Sequence, residues 1–279
     1  MTVSAQAVDE AAERLVGVAI KTPLQHNLRL SERFGATILL KREDLQPVRS
    51  YKIRGAYNLI AQLGPAEREA GVICASAGNH GQGVAYACAR LGITAQIFVP
   101  STTPRQKRQR MRELGEGLVE LVIRGDTYDE AAAFATAAAA ETGRTVVPAF
   151  DDPRTIAGQG TLAREIVEQL GQAPDVLIVP VGGGGMLAGS LIWLAEHHPS
   201  TRVIGVEPSG AACMAVALDA GAPRELTRLD TFVDGAAVRK AGALTFEVAK
   251  RLKPKMVSVP EGRICSEMLE LYQTDGIIA

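Results

Sequence analysis

Short apolar runs alternate along the chain with longer stretches in which apolar positions recur every three or four residues. Thr37–Lys41, Val72–Ala75, Ala95–Val99, Leu118–Ile123, Thr145–Pro148, Val176–Val181 and Val203–Glu207 read as strands, rich in β-branched residues and bounded by turn signals. Ile53–Leu63, Gln82–Leu91, Pro104–Leu114, Thr127–Thr142, Ile156–Leu170 and Leu187–His197 carry the helical period, as does Val8–Ile20 near the start. The alanine-rich Ala131–Ala140 is a helix on this reading, because alanine has the best helix propensity. Regular alternation of the two patterns predicts an α/β fold of mostly parallel sheets with helices on both faces. No shift in composition marks a boundary; the division expected is a small lobe, 41–143, with 1–40 and 144–279 forming a second, discontinuous one.

Charge narrows the class of partners. Lys+Arg 30 against Asp+Glu 31 leaves a net charge of −1, which gives no electrostatic footprint for nucleic acid or an anionic membrane. No apolar run approaches the roughly 18 residues of a membrane span, and no leader pattern opens the chain. Cys74, Cys88, Cys213 and Cys265 stand far apart, as buried thiols of a reduced, cytoplasmic setting would.

Three segments carry the candidate chemistry. In the first, Gly182-Gly183-Gly184-Gly185 joins the strand Val176–Val181 to the helix that follows Met186. Bare backbone N–H groups at the positive end of a helix dipole favour a phosphate, and no Lys-Ser/Thr follows to make a triphosphate loop. Read literally, Gly183–Ala188 also fits G-x-G-x-x-A, and Glu207, closing the next strand, stands where a ribose-binding acid would. A dinucleotide therefore remains open at this point. In the second, Lys52 opens a helix beside Arg49 and Arg54, cations that with the helix end disfavour a protonated amine and so suit Schiff-base chemistry. In the third, Ser76-Ala77-Gly78-Asn79-His80 leads from strand to helix and offers a nest for a carboxylate, or a plain helix cap. His26, His197 and His198 have no ligand-spaced partner. Asp151, Asp152 and Glu207 are read as solvated charges or caps ahead of a cation site.

These segments, together with Lys41-Arg42-Glu43-Asp44-Leu45-Gln46-Pro47, Gly158-Gln159-Gly160-Thr161 and Val206-Glu207-Pro208, resemble the fold-type II pyridoxal-phosphate enzymes, and among them the threonine dehydratase (threonine ammonia-lyase) group. The resemblance runs from about Thr22 to the end and implies two three-layer αβα domains. It implies that Lys52 forms the Schiff base with pyridoxal 5′-phosphate, that Tyr51 lies against the cofactor ring where the family usually has Phe, and that Asn79 bonds the ring hydroxyl. Gly182, Gly183, Gly184, Gly185 and Met186 would hold the phosphate through their N–H groups, and Ser76, Ala77, Asn79 and His80 would line the substrate carboxylate site.

The implied reaction is dehydration and deamination of L-threonine to 2-oxobutanoate and ammonia, and of L-serine to pyruvate, by a homodimer or homotetramer. An NAD-dependent oxidoreductase, a serine racemase and a non-catalytic remnant are the alternatives. Racemases of the family place a second hydroxyl where this chain has Ala77, so elimination without racemisation is expected. Those relatives bind a divalent ion through an acid at the position of Glu207 and another shortly after; here Ser209–Cys213 supply none, and no metal is expected. The family normally continues past Gly276-Ile277-Ile278-Ala279 with Glu-Pro-Ala-Gly, a strand and a helix that bring a Ser or Cys to the ring nitrogen. The resemblance therefore implies that the C-terminal part of the large domain is missing.

Overall fold

Side-chain caps and closing glycines set many of the element boundaries. Helix α1 (Ala5–Arg14) starts where the Ser4 hydroxyl accepts the Ala7 N–H, and it ends well before the Ile20 expected from periodicity. Strand β1 (Leu24–His26) is followed by α2 (Leu28–Phe34), capped by Asn27, and by β2 (Leu39–Lys41). These strands form a two-stranded antiparallel ribbon, so the predicted strand Thr37–Lys41 is shorter than expected and lies outside both parallel sheets. The computed structural model describes residues 3–278; Met1, Thr2 and Ala279, which the expected domain limits include, lie outside the described residues.

Between residues 41 and 146 the order is α3 (Lys52–Ile60), α4 (Pro65–Ala70), β3 (Val72–Ala75), α5 (Asn79–Leu91), β4 (Ala95–Val99), α6 (Arg105–Leu114), β5 (Val119–Ile123), α7 (Tyr128–Thr142) and β6 (Thr145–Val146). The four strands make a parallel sheet in the order β5-β4-β3-β6. Alternation across the pleat builds the layers. Val72, Cys74, Ala95, Ile97 and Val99 face a core shared with α3, α5 and α6, while Ile73 and Phe98 face Ala131 and Ala135 of α7. Ile53, Leu59 and Ile60 of α3 are fully buried in the first of these cores, worth roughly 1.5–3 kcal/mol each.

The chain continues with α8 (Pro153–Leu170), β7 (Val176–Pro180), α9 (Gly185–His197), β8 (Arg202–Pro208), α10 (Cys213–Ala220), α11 (Ala243–Leu252), β9 (Lys255–Val259) and α12 (Glu261–Asp275). Its sheet is parallel in the order β7-β8-β9. Val179, Val181 and Val203 pack with α1, α8, α9 and α11 in a separate core, and Ile178 on the opposite face of β7 is 63% exposed. The parallel α/β architecture matches the sequence reading. The ribbon strand β1, α2, α4, α10, α11, β9 and α12 were not anticipated. None of the helices among the described residues is long and apolar enough to cross a membrane.

Candidate active site

Parallel strands leave the N-termini of their following helices at one end of the sheet, where ligands of open α/β folds bind. Both parallel sheets turn that end toward one cavity of about 1140 Å³. Its wall contains Tyr51, Gly78, Pro104, Thr127 and Gly184, the residues that precede α3, α5, α6, α7 and α9. All eleven site residues expected from the sequence line it: Tyr51, Lys52, Ser76, Ala77, Asn79, His80, Gly182, Gly183, Gly184, Gly185 and Met186.

The glycine turn is shaped from behind. A Cβ at Gly183 would fall on the Phe150 ring. Gly184 has φ 93°, and a Cβ there would lie 2.5 Å from Met214 Cε and 2.9 Å from Thr245 Oγ1. The carbonyls are tied back: Gly183 O accepts from Thr245 Oγ1 (2.6 Å) and Gly242 N (3.3 Å), and Gly182 O accepts from Cys213 Sγ (3.4 Å). The N–H groups of Gly183, Gly184, Gly185 and Met186 find no acceptor among the described residues.

Two neighbouring helix N-termini are stoppered by carboxylates. Asp151 accepts from Ala243, Leu244 and Thr245 N at the start of α11, and Glu207 accepts from Met214 N (2.7 Å) and Ala215 N (2.9 Å) at the start of α10. Among the described residues the N-terminus of α9 has no such stopper. The acid whose absence leaves donors free is the one a bound phosphate would replace, so these residues fit the phosphate of the cofactor. Glu207, only 1% exposed, is committed to α10 and does not line the cavity. The dinucleotide reading loses its ribose acid. Asp152 is likewise a cap, accepting the Arg154 N–H at the start of α8.

Lys52 lines the same cavity, its Nζ donating to Ala149 O at 2.9 Å and lying 5.4 Å from the Tyr51 ring centroid. Arg49, with φ 56°, makes the bend that delivers the chain into α3. The expected influence of Arg54 on the Lys52 amine is not what the structure shows. Arg54 is turned away into the junction with α8, about 200° round the helix, where Glu43 (2.8 and 2.9 Å) and Glu165 (2.9 Å) take up its charge.

The Ser76–His80 segment forms the nest at the uncapped start of α5. His80 is 4% exposed, and its Nε2 donates to Val147 O at 2.7 Å, the only role open to a nitrogen facing a carbonyl. Burial, helped by the charge of Lys52 and opposed by that hydrogen bond, brings its pKa down to about 4. The imidazole is therefore neutral, and Nδ1, without a protein partner, holds a lone pair and no proton.

Sequence reasoning missed the outer wall. Thr102 and Thr103 of the loop after β4, Lys107 in the first turn of α6 and Tyr128 at the start of α7 form one side, and Leu229, Asp234, Val238 and Arg239 from the irregular segment between α10 and α11 the other. Ion pairs Lys107–Asp234 and Arg239–Asp129 bridge the two sides. Their partners lie more than a hundred residues apart in the chain, and no local pattern announces them.

The profile of the pyridoxal-phosphate dependent enzymes matches residues 17–279. The chain belongs to this family. It is 55% identical over 275 residues to the biosynthetic L-threonine dehydratase IlvA of Mycobacterium tuberculosis, covering 98% of this chain and 64% of that one. The chain thus spans a little under two thirds of that relative's length. Among solved structures, the processed form of threonine deaminase isoform 2 from Solanum lycopersicum superposes with a TM-score of 0.91 at 39% identity, covering 100% of this chain and 82% of the other. Maize serine racemase gives a TM-score of 0.93 at 28% identity, covering 99% and 83%. Backbone likeness alone does not separate elimination from racemisation here, because the racemase matches the fold just as well.

Proposed function

We propose that the protein is a pyridoxal-phosphate dependent threonine ammonia-lyase, converting L-threonine to 2-oxobutanoate and ammonia and L-serine to pyruvate, as the first step of isoleucine biosynthesis or in threonine catabolism. The observation that carries this reading is the convergence of Lys52, the Ser76–His80 nest and the one unstoppered glycine turn on a single cavity. Division into a 41–143 lobe and a lobe of the flanking segments, action in the cytoplasm and assembly as a homodimer or homotetramer belong to the same proposal. The separate cores support a division of this kind, while β6 and Val147 join the sheet and core of the first lobe and carry it past residue 143.

Gly182–Met186 would hold the phosphate, Tyr51 would lie against the ring and Asn79 would bond its hydroxyl, leaving Ser76, Ala77, Asn79 and His80 to orient the substrate carboxylate. Bound cofactor supplies an electron sink for the negative charge left at the substrate Cα. With the cofactor bound, the Lys52 amine would be the base that removes the substrate Cα proton. The β-hydroxyl must gain a proton to leave as water, and His80 does not give it, because its Nε2–H is held by Val147 O and its Nδ1 carries no proton; the phosphate or a water bound beside it would supply that proton. The part of His80 is to support the nest. Ala77 has no group that moves a proton, so proton return to the opposite face of Cα lacks a donor at this position, which favours elimination over racemisation.

Supplied with pyridoxal 5′-phosphate, the purified protein should release 2-oxobutanoate from L-threonine and yield, after borohydride, a chain modified at Lys52. Lys52→Ala should do neither. Interconversion of D- and L-serine at a rate comparable with dehydration would instead make it a racemase.

A further inference from the structure

Arg54 is among the most thoroughly buried side chains of the molecule, 1% exposed, yet it lines no part of the cavity. Four hydrogen bonds hold its guanidinium: Nε and Nη2 to the two oxygens of Glu43 (2.8 and 2.9 Å), Nη1 to Glu165 Oε2 (2.9 Å) and to Thr161 Oγ1 (3.2 Å). The acids are held in turn. Glu43 also accepts from Thr22 Oγ1 (2.7 Å), and Glu165 from Lys41, whose ammonium is fixed by Thr22 O (2.6 Å) and Gln169 Oε1 (2.7 Å). Lys41, Glu43, Arg54 and Glu165 balance to zero net charge. Such a buried cluster adds little stability over well-packed apolar residues of the same volume; what it adds is a single permitted geometry.

That geometry bears on Lys52. At the same junction α3 and α8 meet backbone to backbone: a Cβ at Gly158 would lie 2.5 Å from Arg54 O, and one at Gly55 2.8 Å from Thr155 O. From the other side α5 presses on the Lys52 peptide, where a Cβ at Gly83 would lie 3.1 Å from Lys52 C and O. The first turn of α3 is thus clamped between two helices, and the forked bonds of Arg54 fix its rotation about its own axis. Resting on the reading of Lys52 as the cofactor lysine, we infer that Arg54 is a positioning residue, which through α3 aims the Lys52 amine into the cavity.

The test compares three variants of the full chain. Arg54→Lys keeps the charge but loses the fork; Thr161→Val removes one bond from Arg54 and leaves every charge paired. Trp193→Phe is the control, because it removes the Trp193–Asp9 hydrogen bond on the α1 side of α9, away from α3. Three quantities are read: Tm, the rate at which added pyridoxal 5′-phosphate becomes attached to Lys52 (visible absorbance, then borohydride and mass spectrometry), and kcat and KM for L-threonine. A misaimed amine predicts that Arg54→Lys slows attachment and lowers kcat together by about ten- to a hundredfold with KM within about twofold. Thr161→Val should follow in the same direction by about two- to threefold, and Trp193→Phe should change Tm alone. If Arg54→Lys and Thr161→Val lower Tm as the control does while attachment rate and kcat stay at the wild-type value, Arg54 is structural only and the inference fails. If the wild-type chain attaches no cofactor, or Lys52→Ala attaches it equally well, the functional reading fails instead.

Discussion

Two glutamates are buried outside the cavity, one beside α3 and one beside the start of α10, and they are stabilised in different ways. Glu43 sits in the α3–α8 junction, where burial raises its pKa but the Arg54 fork, with help from Thr22 and Lys41, outweighs this and holds it below the ordinary carboxylate range. Glu207 sits behind the glycine turn, where burial dominates and only the N–H groups of Met214 and Ala215 oppose it, leaving its pKa raised to about 7. A full counter-charge in fork geometry compensates a buried carboxylate; two backbone dipoles at a helix start do so only partly. The junction can therefore act as a rigid clamp beside Lys52, while no cation among the described residues compensates Glu207 behind the glycine turn.

Breaking each acid should separate the two most widely. Glu43→Gln leaves Arg54 short of one counter-charge inside the protein, and removing one partner of a buried pair costs about 3–5 kcal/mol. Glu207→Gln keeps one acceptor for the start of α10 and discards a poorly compensated charge, so its cost should stay within about 1–3 kcal/mol. Urea unfolding of both variants at pH 8 measures the difference. Equal losses would show that the two environments are not as unlike as their partners suggest.

The glycines on the two sides should part in kind as well as in size. Gly55→Ala drives a methyl against Gln159 and against the backbone oxygen of Thr155, 2.8 Å away, so α3 must lift from α8. Overpacking of this sort costs about 1–3 kcal/mol, and Tm should fall. Gly184→Ala meets the flexible end of Met214 but is strained by its φ of 93°, costing of order 1–2 kcal/mol. If the turn holds the cofactor phosphate as proposed, re-orienting its peptides should weaken pyridoxal 5′-phosphate binding more than it lowers Tm. Cofactor titration beside thermal unfolding reads both; a Gly184→Ala protein with wild-type cofactor affinity would mean that the turn is not the phosphate site.

The cavity wall was legible where its signals are local. The strands before Ser76 and Gly182, the glycines and the small residues of the nest are each written within a dozen positions, and all eleven expected residues meet in the structure. What stayed hidden depends on distant partners. Helix α11 is capped not by its own neighbour but by Asp151, 92 residues earlier, and α10 by Glu207 because Ala212 offers no side-chain acceptor. Helix α12 buries none of its residues, so its apolar period is blurred. The ribbon strands are three residues each, too short for alternation to register. Arg54 read as a cation acting on Lys52, because nothing in Lys52-Ile53-Arg54 tells that Glu165 stands 111 residues on to take its charge.

The effect most specific to the Glu207 side lies in the pH dependence of stability. Glu207 binds its proton up to about pH 7 in the folded chain but only to its ordinary 4.5 when unfolded. Its contribution to stability is therefore full below pH 4.5 and is lost as pH rises to about 7. His80 has the opposite sign. Its folded pKa of about 4 lies below the ordinary 6.5, so its contribution is full above pH 6.5 and is lost as pH falls toward 4. Each group has a limiting slope of about 1.4 kcal/mol per pH unit, and between pH 4.5 and 6.5 the two slopes oppose each other. Single replacements should unmask them. Glu207→Gln should lose stability relative to wild type as pH is lowered from 6.5 to 5, and His80→Leu should gain it over the same interval. Both are read as the difference from wild type in urea midpoints across that interval. Parallel curves for all three proteins would mean that neither group changes protonation on unfolding there, and that Glu207, like Glu43, has a partner that compensates its charge.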